Sequence, residues 1–238
     1  MNPTGEAPIV RVDSRRAERT EDLLVQERRI TVLVDGEPTL EAVCSPGGAR
    51  DFAYGHLLAI GRIRTFAEVA GIEVVEGEET SVFVELAEGL PVGRTVPEPV
   101  RSPFSVSKEF VVQVAQGPAS HGELFRATGG SHLAAVVPGK APWLAVEDVS
   151  RTCALKKALG AALSSGVDFA QSVLFLTSRV PVAFVRATAR AGIPIVGAVS
   201  APTYQAAEEA ERLGICLCGF IREERFNVYS HPWRVGLG

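Results

Sequence analysis

Three short stretches of this sequence place arginines, hydroxyls and carboxylates where an apolar run gives way to the start of a helix: Glu147-Asp148-Val149-Ser150-Arg151, Thr177-Ser178-Arg179 and Ser200-Ala201-Pro202-Thr203. Arginine takes a phosphate bidentately, and the free backbone N–H groups of a helix start favour the same charge. A carboxylate accepts from a ring N–H. The three stretches together suit an anionic ligand with a polar ring edge, such as a nucleotide. Taken singly, Asp148, Ser178 and Ser200 read as helix caps. The ligand reading needs all three loops on one edge of a sheet, which follows if the preceding strands run parallel, because open α/β sheets bind ligands beyond their strand carboxyl ends.

The elements that must position these loops are legible in the hydrophobic pattern. From His132 onward the chain reads β-β-α-β-α-β-α-β, with strands expected at 132–137, 142–147, 172–177, 193–199 and 215–221 and helices at 151–164, 181–191 and 203–213. Such alternation predicts a layered α/β domain with a partly parallel sheet. Upstream, residues 29–43 hold two alternating runs around Asp35-Gly36, a hairpin signal, and residues 50–60 repeat apolar positions at helical spacing. Short strands are expected at 72–75 and 81–86, and short helices at 107–116 and 122–127. Residues 88–104 are rich in Pro and Gly and read as a linker. The organisation expected is a flexible N-terminal arm at 1–24, a small α+β domain with its linker at 25–104 and an α/β core domain at 105–238.

Other reactive residue types give plainer readings. The chain has four cysteines. Cys216 and Cys218 stand two apart on a strand and face the same side, a poor geometry for a disulfide, so they read as core residues. Cys153 follows Arg151 in the first turn of a helix, where a neighbouring cation and the helix dipole lower a thiol pKa. An inert helix cysteine is the simpler reading, but if any thiol here carries sulfur it is Cys153. Cys44 precedes the Ser45-Pro46 turn of the small domain, away from the expected pocket. Thr128-Gly129-Gly130 allows a close approach to a ligand, but its spacing favours a plain turn. It is no P-loop, since no Gly-Lys-Ser/Thr follows. The four histidines are scattered and no cluster has zinc spacing.

Composition bounds the rest. Apolar residues make up 46% and charged residues 22%, as in a globular protein with a packed core, and the net charge of −4 speaks against a general nucleic-acid binder. No apolar run reaches a membrane span and the N-terminus has no apolar signal segment. With few cysteines, a reducing cytoplasm is the expected location.

Several blocks resemble the FdhD family, the accessory sulfurtransferases of formate dehydrogenase. Ser200–Thr203 matches its SAPT turn, Gly219–Arg222 its GFxR strand end and Asn227–Tyr229 its NVY stretch. Thr128-Gly129-Gly130 with His132 is similar to a TGGxH element, and Glu147-Asp148-Val149 with Arg151 to an EDVGRHNA motif followed by Lys157 and Gly160. Ser45-Pro46, Gly55–Leu58 and Ser178-Arg179 resemble its TP turn, GxLL helix and SGR turn. The resemblance spans about Glu27 to Val235. It implies a small N-terminal α/β domain, a core similar to cytidine deaminases and a homodimer. It further implies that sulfur arrives as a persulfide from a cysteine desulfurase and passes to the molybdenum (or tungsten) bis-pterin guanine dinucleotide cofactor, which then enters the formate dehydrogenase apoprotein. The ligand would lie against Thr128, Gly129, Gly130, His132, Asp148, Arg151, Ser178, Arg179, Ser200, Ala201, Pro202 and Thr203, with no metal of the protein's own.

The chain departs from that pattern at the sulfur chemistry. The family's Cys-Gly-x-Cys-Gly loop falls within residues 101–130, which contain no cysteine. GRHNA has become Ser150-Arg151-Thr152-Cys153-Ala154, and Ile60 replaces the glutamate after the first helix. Two readings follow: a sulfurtransferase using another thiol, or a cofactor-binding chaperone or regulatory paralogue without sulfur transfer. A deaminase-like hydrolase would need a His/Cys-x-Glu element and a Pro-Cys-x-x-Cys pair, and the sequence has neither.

Overall fold

The computed structural model describes residues 2–90, 96–117, 122–139 and 142–237; the part of the expected linker at 91–95 lies outside them. Among the described residues the chain forms twelve strands and six α-helices, and from residue 28 to residue 222 they follow the order given by the sequence pattern. The hairpin expected around Asp35-Gly36 is β3 (Arg28–Val34) and β4 (Glu37–Cys44), and both turn residues take left-handed φ values of 52° and 86°. Asparagine, aspartate and glycine tolerate that region best, which is why the Asp-Gly pair marks the turn. β5 (Val69–Glu76) and β6 (Thr80–Leu86) complete a four-stranded sheet of order β4-β3-β6-β5.

Beyond α2 (Lys108–Gln116) and α3 (Glu123–Thr128) comes a six-stranded sheet of order β12-β11-β10-β9-β7-β8. Its strands are β7 (His132–Pro138), β8 (Leu144–Asp148), β9 (Ser172–Leu176), β10 (Ile195–Ala198), β11 (Cys216–Arg222) and β12 (Arg225–Ser230). β9, β10 and β11 run parallel, and β7 is antiparallel to both β9 and β8. The crossovers are α4 (Arg151–Ser164), α5 (Val182–Ala191) and α6 (Tyr204–Arg212). The sheet is buried on both faces. Ala134, Val136, Leu174, Leu176 and Val196 point into one apolar cluster, while Leu133, Ala135, Val137, Val173 and Phe175 point into the other with Val111 and Val114 of α2. This period-two alternation between two cores gives the continuous apolar runs seen in the sequence. The fold is therefore mixed α/β.

The first core cluster does not stop at the six-stranded sheet. It continues through α4 and α1 (Ala49–Ile60) into Ile30, Val32, Val82 and Val84 of the four-stranded sheet. α1 and α4 meet backbone to backbone. A Cβ on Gly55 would overlap the carbonyl of Lys156, and a Cβ on Gly160 would overlap the carbonyl of Asp51.

The N-terminal arm corrects an expectation. It was expected to be flexible, yet β1 (Thr4–Val12) and β2 (Ala17–Val25) pair antiparallel along their whole length. Asp13 Oδ1 accepts from the amides of Arg15 and Arg16 at 2.7 and 3.0 Å and so closes the turn. Charged residues on the exposed strands, paired as Arg11–Asp22 and Arg16–Glu18, hide the alternation in the sequence. A lone two-stranded hairpin is marginal in water. Here the foot of β2 lies against α3, and Val25 sits over Gly130, where a Cβ would come within 2.9 Å of Val25 Cγ1.

Candidate functional site

The topology brings the three sequence loops to one edge. β8, β9 and β10 end there at Asp148, Leu176 and Ala198, and antiparallel β7 begins there at His132. A cleft of ≈ 530 Å³ opens between them, lined by His132, Val149, Ser150, Arg151, Thr152, Thr177, Ser178, Arg179 and Ser200. Ser150 caps α4, its Oγ accepting from Cys153 N at 3.4 Å, which leaves Arg151 as the first helical residue facing the cleft. Thr177 Oγ1 accepts from Leu133 N at 2.9 Å and fixes the start of β7 against the end of β9. Arg151 is half-buried and Arg179 exposed, and neither guanidinium forms a hydrogen bond or ion pair with another described residue. Partial burial, and secondarily Arg151, hold the His132 imidazole below its ordinary pKa. The cleft is thus cationic and its cations are unspent.

A larger cleft of ≈ 820 Å³ shares His132 and Thr177 with the first. Phe125, Leu133, Val199 and Ile221 give it apolar walls, Gly129 and Gly130 contribute bare backbone, and Arg222 stands at its rim. Gly129 ends α3 at φ 67° with nothing within 4 Å of where a Cβ would be, so backbone is open to a ligand there. Glu147 organises this wall. Its carboxylate accepts from Leu124 N at 2.9 Å, Phe125 N at 2.8 Å and Ser131 Oγ at 2.8 Å, in the space that Gly122 leaves free of a side chain. Arg222 is exposed and its guanidinium makes no hydrogen bond or ion pair with another described residue. The sequence reading passed over both as site residues, although Glu147 opens the first chemical stretch and Arg222 closes the Gly219–Arg222 block.

Several expected contacts lie elsewhere. Asp148 is fully buried and points away from the cleft. Its carboxylate pairs with Lys157 Nζ at 2.7 Å and accepts from the amides of Ser45 and Ser150 at 3.2 and 2.9 Å. Lys157 Nζ also donates to the Ser45 carbonyl at 2.7 Å, and Ser45 Oγ accepts from Val149 N at 2.9 Å. Asp148 is thus the anchor of the Arg151 loop and not a ligand contact. Thr128 Oγ1 donates to Leu124 O at 2.7 Å and accepts from Gly130 N at 3.1 Å, so it finishes α3. Of Ser200–Thr203 only Ser200 lines the cleft. Ala201 and Pro202 bridge to Val180, and Thr203 caps α6 by accepting from Ala206 N at 3.2 Å.

The thiols also correct the sequence reading. Cys153 is 2% exposed and lines neither cleft. Cys44 is not remote from it: Cys153 Sγ lies 3.5 Å from the carbonyl of Val43, the residue before Cys44, so the two thiols come to one buried point. That contact with Cys44 lowers the Cys153 pKa against the opposing effect of burial, while the Cys44 thiol is pushed up by the same contact and by burial. Cys216 and Cys218 share a strand face as expected, with sulfurs 3.8 Å apart and no exposure.

With this geometry in view, comparison with known proteins is informative. The sequence profile of the FdhD/NarQ family matches residues 88–236. The chain is 29% identical to "Sulfur carrier protein FdhD" of Methanothermobacter thermautotrophicus, over 97% of this chain and 98% of that one. It is 34% identical to the protein of the same name from Bordetella bronchiseptica, over 90% and 87%. The crystal structure of a putative formate dehydrogenase accessory protein from Desulfotalea psychrophila superposes with a TM-score of 0.84 at 20% identity, covering 98% of this chain and all of that one.

Proposed function

Because the chain belongs to the FdhD/NarQ family, we propose that it is an accessory protein in formate dehydrogenase maturation and that it binds the bis-pterin guanine dinucleotide form of the molybdenum (or tungsten) cofactor as cargo along its sheet edge. The observation that carries this reading is the pair of unpartnered arginines, Arg151 and Arg179, in a cleft shared by three strand ends. An arginine with no protein partner keeps its donors free to take the pyrophosphate of a dinucleotide bidentately. The adjoining apolar cleft, with the open backbone of Gly129 and Gly130, offers a flat ring a wall to lie against. In this reading the layered core is of the cytidine-deaminase kind, put to binding. Isothermal calorimetry with guanosine diphosphate tests it. The expected result is binding to the intact chain and a loss of about tenfold to a hundredfold in Arg179→Ala, from a charge-assisted contact of roughly 1.5–3 kcal/mol. No binding by the intact chain, or equal binding by the variant, would refute the site.

The fate of sulfur separates two versions. All four thiols are buried and none lines a cleft, which supports a carrier that holds the cofactor without passing sulfur to it. A lowered Cys153 pKa supports the other version, in which a cysteine desulfurase is a partner. There the Cys153 thiolate attacks the sulfane sulfur of the desulfurase persulfide, a new S–S bond forms on Cys153, and the desulfurase thiolate leaves. Mass spectrometry after incubation with desulfurase and cysteine decides between them: added sulfur on Cys153, absent in Cys153→Ser, marks the transferase, and no added sulfur marks the carrier.

A further inference from the structure

Two buried thiols come from positions far apart in the chain to one point, Cys153 Sγ against the carbonyl of the residue before Cys44, and form a pair that cofactor binding does not require. Cys44 is the last residue of β4 and Cys153 lies in the first turn of α4. Both belong to the same apolar cluster, at 3% and 2% exposure, and Val43 O holds Cys153 Sγ at 3.5 Å. On the chain just beyond each sulfur is the joint between the two sheets. Ser45 follows Cys44, Ser150 caps the turn that holds Cys153, and Asp148 and Lys157 tie the two together. We propose that Cys44 and Cys153 form a reversible thiol–disulfide couple, oxidised by a small peroxide, that clamps the loop carrying Arg151 to the four-stranded sheet.

The Cys153 thiolate attacks one oxygen of hydrogen peroxide, an S–O bond forms, the O–O bond breaks, and the leaving hydroxide takes a proton to become water. The Cys44 thiol then attacks the sulfenic sulfur, an S–S bond forms, and a second water leaves. Two thiols lose two electrons in all, and peroxide gains them. Cys153 is suited to attack because its neighbour's S–H favours the thiolate, and Cys44 is placed to resolve it. The reagent is close to water in size, so local opening of the Ser150–Cys153 turn admits it. Cys216 and Cys218 provide an internal contrast. Their sulfurs lie 3.8 Å apart, but two positions along one extended strand separate the Cα atoms by about 6.6–6.8 Å, at the limit a disulfide spans.

The test uses the full-length protein, reduced, freed of reductant and titrated with hydrogen peroxide. Thiol counting after denaturation is expected to fall from four to two, and non-reducing peptide mapping to show a Cys44–Cys153 link that dithiothreitol reverses. Hydrogen exchange supplies the readout of the clamp. The amides of Val149, Ser150, Cys153 and Ala154 are expected to exchange at least about tenfold more slowly in the oxidised form, since a cross-link removes open states of the joint. Cys44→Ser and Cys153→Ser should each abolish the link. A Cys216–Cys218 link, oxidation confined to one cysteine, or four surviving thiols in the folded protein would overturn the couple. Unchanged exchange at the four amides would overturn the clamp. None of these readouts depends on whether a nucleotide binds.

Discussion

The two sides of the first turn of α4 carry charge in opposite ways. Behind it, Asp148 and Lys157 are buried, 2.7 Å apart, and every polar atom of the pair that the fold can satisfy has a partner in Ser45 or Ser150. In front of it, the guanidinium groups of Arg151 and Arg179 face a cleft with no hydrogen-bond or ion-pair partner among the described residues. A buried charge without a partner is costly, so the rear pair is bound to its fold. An accessible charge is kept in reserve by water at little cost, so the front pair is free to be satisfied by something that arrives. The contrast separates residues that hold the site from residues that meet the ligand, although both kinds sit within a few positions of each other in one sequence motif.

Substitutions should divide along the same line. Lys157→Met leaves the Asp148 carboxylate buried and alone, and is expected to cost about 3–5 kcal/mol of stability, read from urea unfolding. A second change, Asp148→Leu, should recover only part of that loss, since it removes the unpaired charge but leaves the amides of Ser45 and Ser150 without their acceptor. If Lys157→Met were neutral, the division would fail. In front of the turn, Arg151→Ala should leave stability within about 0.5 kcal/mol while weakening guanosine diphosphate about tenfold or more, by the loss of a charge-assisted bond. An Arg151 variant that unfolds as readily as the Lys157 variant would place it among the holders. The next effect is smaller. His132 is kept below its ordinary pKa in the free protein, so it is neutral at pH 7. A bound phosphate favours its charged form, so proton uptake accompanies binding and affinity should rise severalfold as pH falls from about 7 to about 5. His132→Gln should flatten that dependence in a calorimetric pH series. The smallest effect belongs to a pair that is made but wet. Glu209 bonds Arg212 and Arg186, chiefly Arg212, and is drawn from 4.5 to about 2. That contribution is complete above about pH 4.5 and is lost as pH falls through about 2. Because both arginines are half-exposed, water screens the pair, and Glu209→Gln should flatten acid unfolding only slightly.

The sequence carried the sheet edge well because its information is local. Five of the six strands of the larger sheet, all but β12, and each helix from α4 to α6 fall within a few residues of the expected position, since strand alternation, cap residues and Gly breakers act over neighbouring positions. Arg151, Arg179, Ser178, Ser200 and His132 reach one cleft for the same reason: once the strands run parallel, the loops have nowhere else to go. What escaped notice depends on distant partners. Asp148 is indistinguishable from a cap until Ser45, 103 residues earlier, is seen to donate to it. Cys44 passes for a remote residue until the joint between the sheets brings Cys153 to it from 109 positions away. Charged side chains concealed the pairing of β1 with β2, because alternation is read from apolar residues and that hairpin keeps most of its surface wet.

The crossing of α1 and α4 at Gly55 and Gly160 fixes something further. Backbone touches backbone there, and the residues on either side, Tyr54 and His56 on one helix and Leu159 and Ala161 on the other, all carry side chains. Sliding either helix by one position would drive one of those side chains into a carbonyl. The crossing therefore works as a keyed joint, with only one seating, and neither sheet can creep along the other to widen the binding edge. Whatever yielding a ligand requires must come from the strips of chain at that edge, around residues 122–132, 149–152 and 177–180. The large body of the protein serves as the rigid frame against which they move.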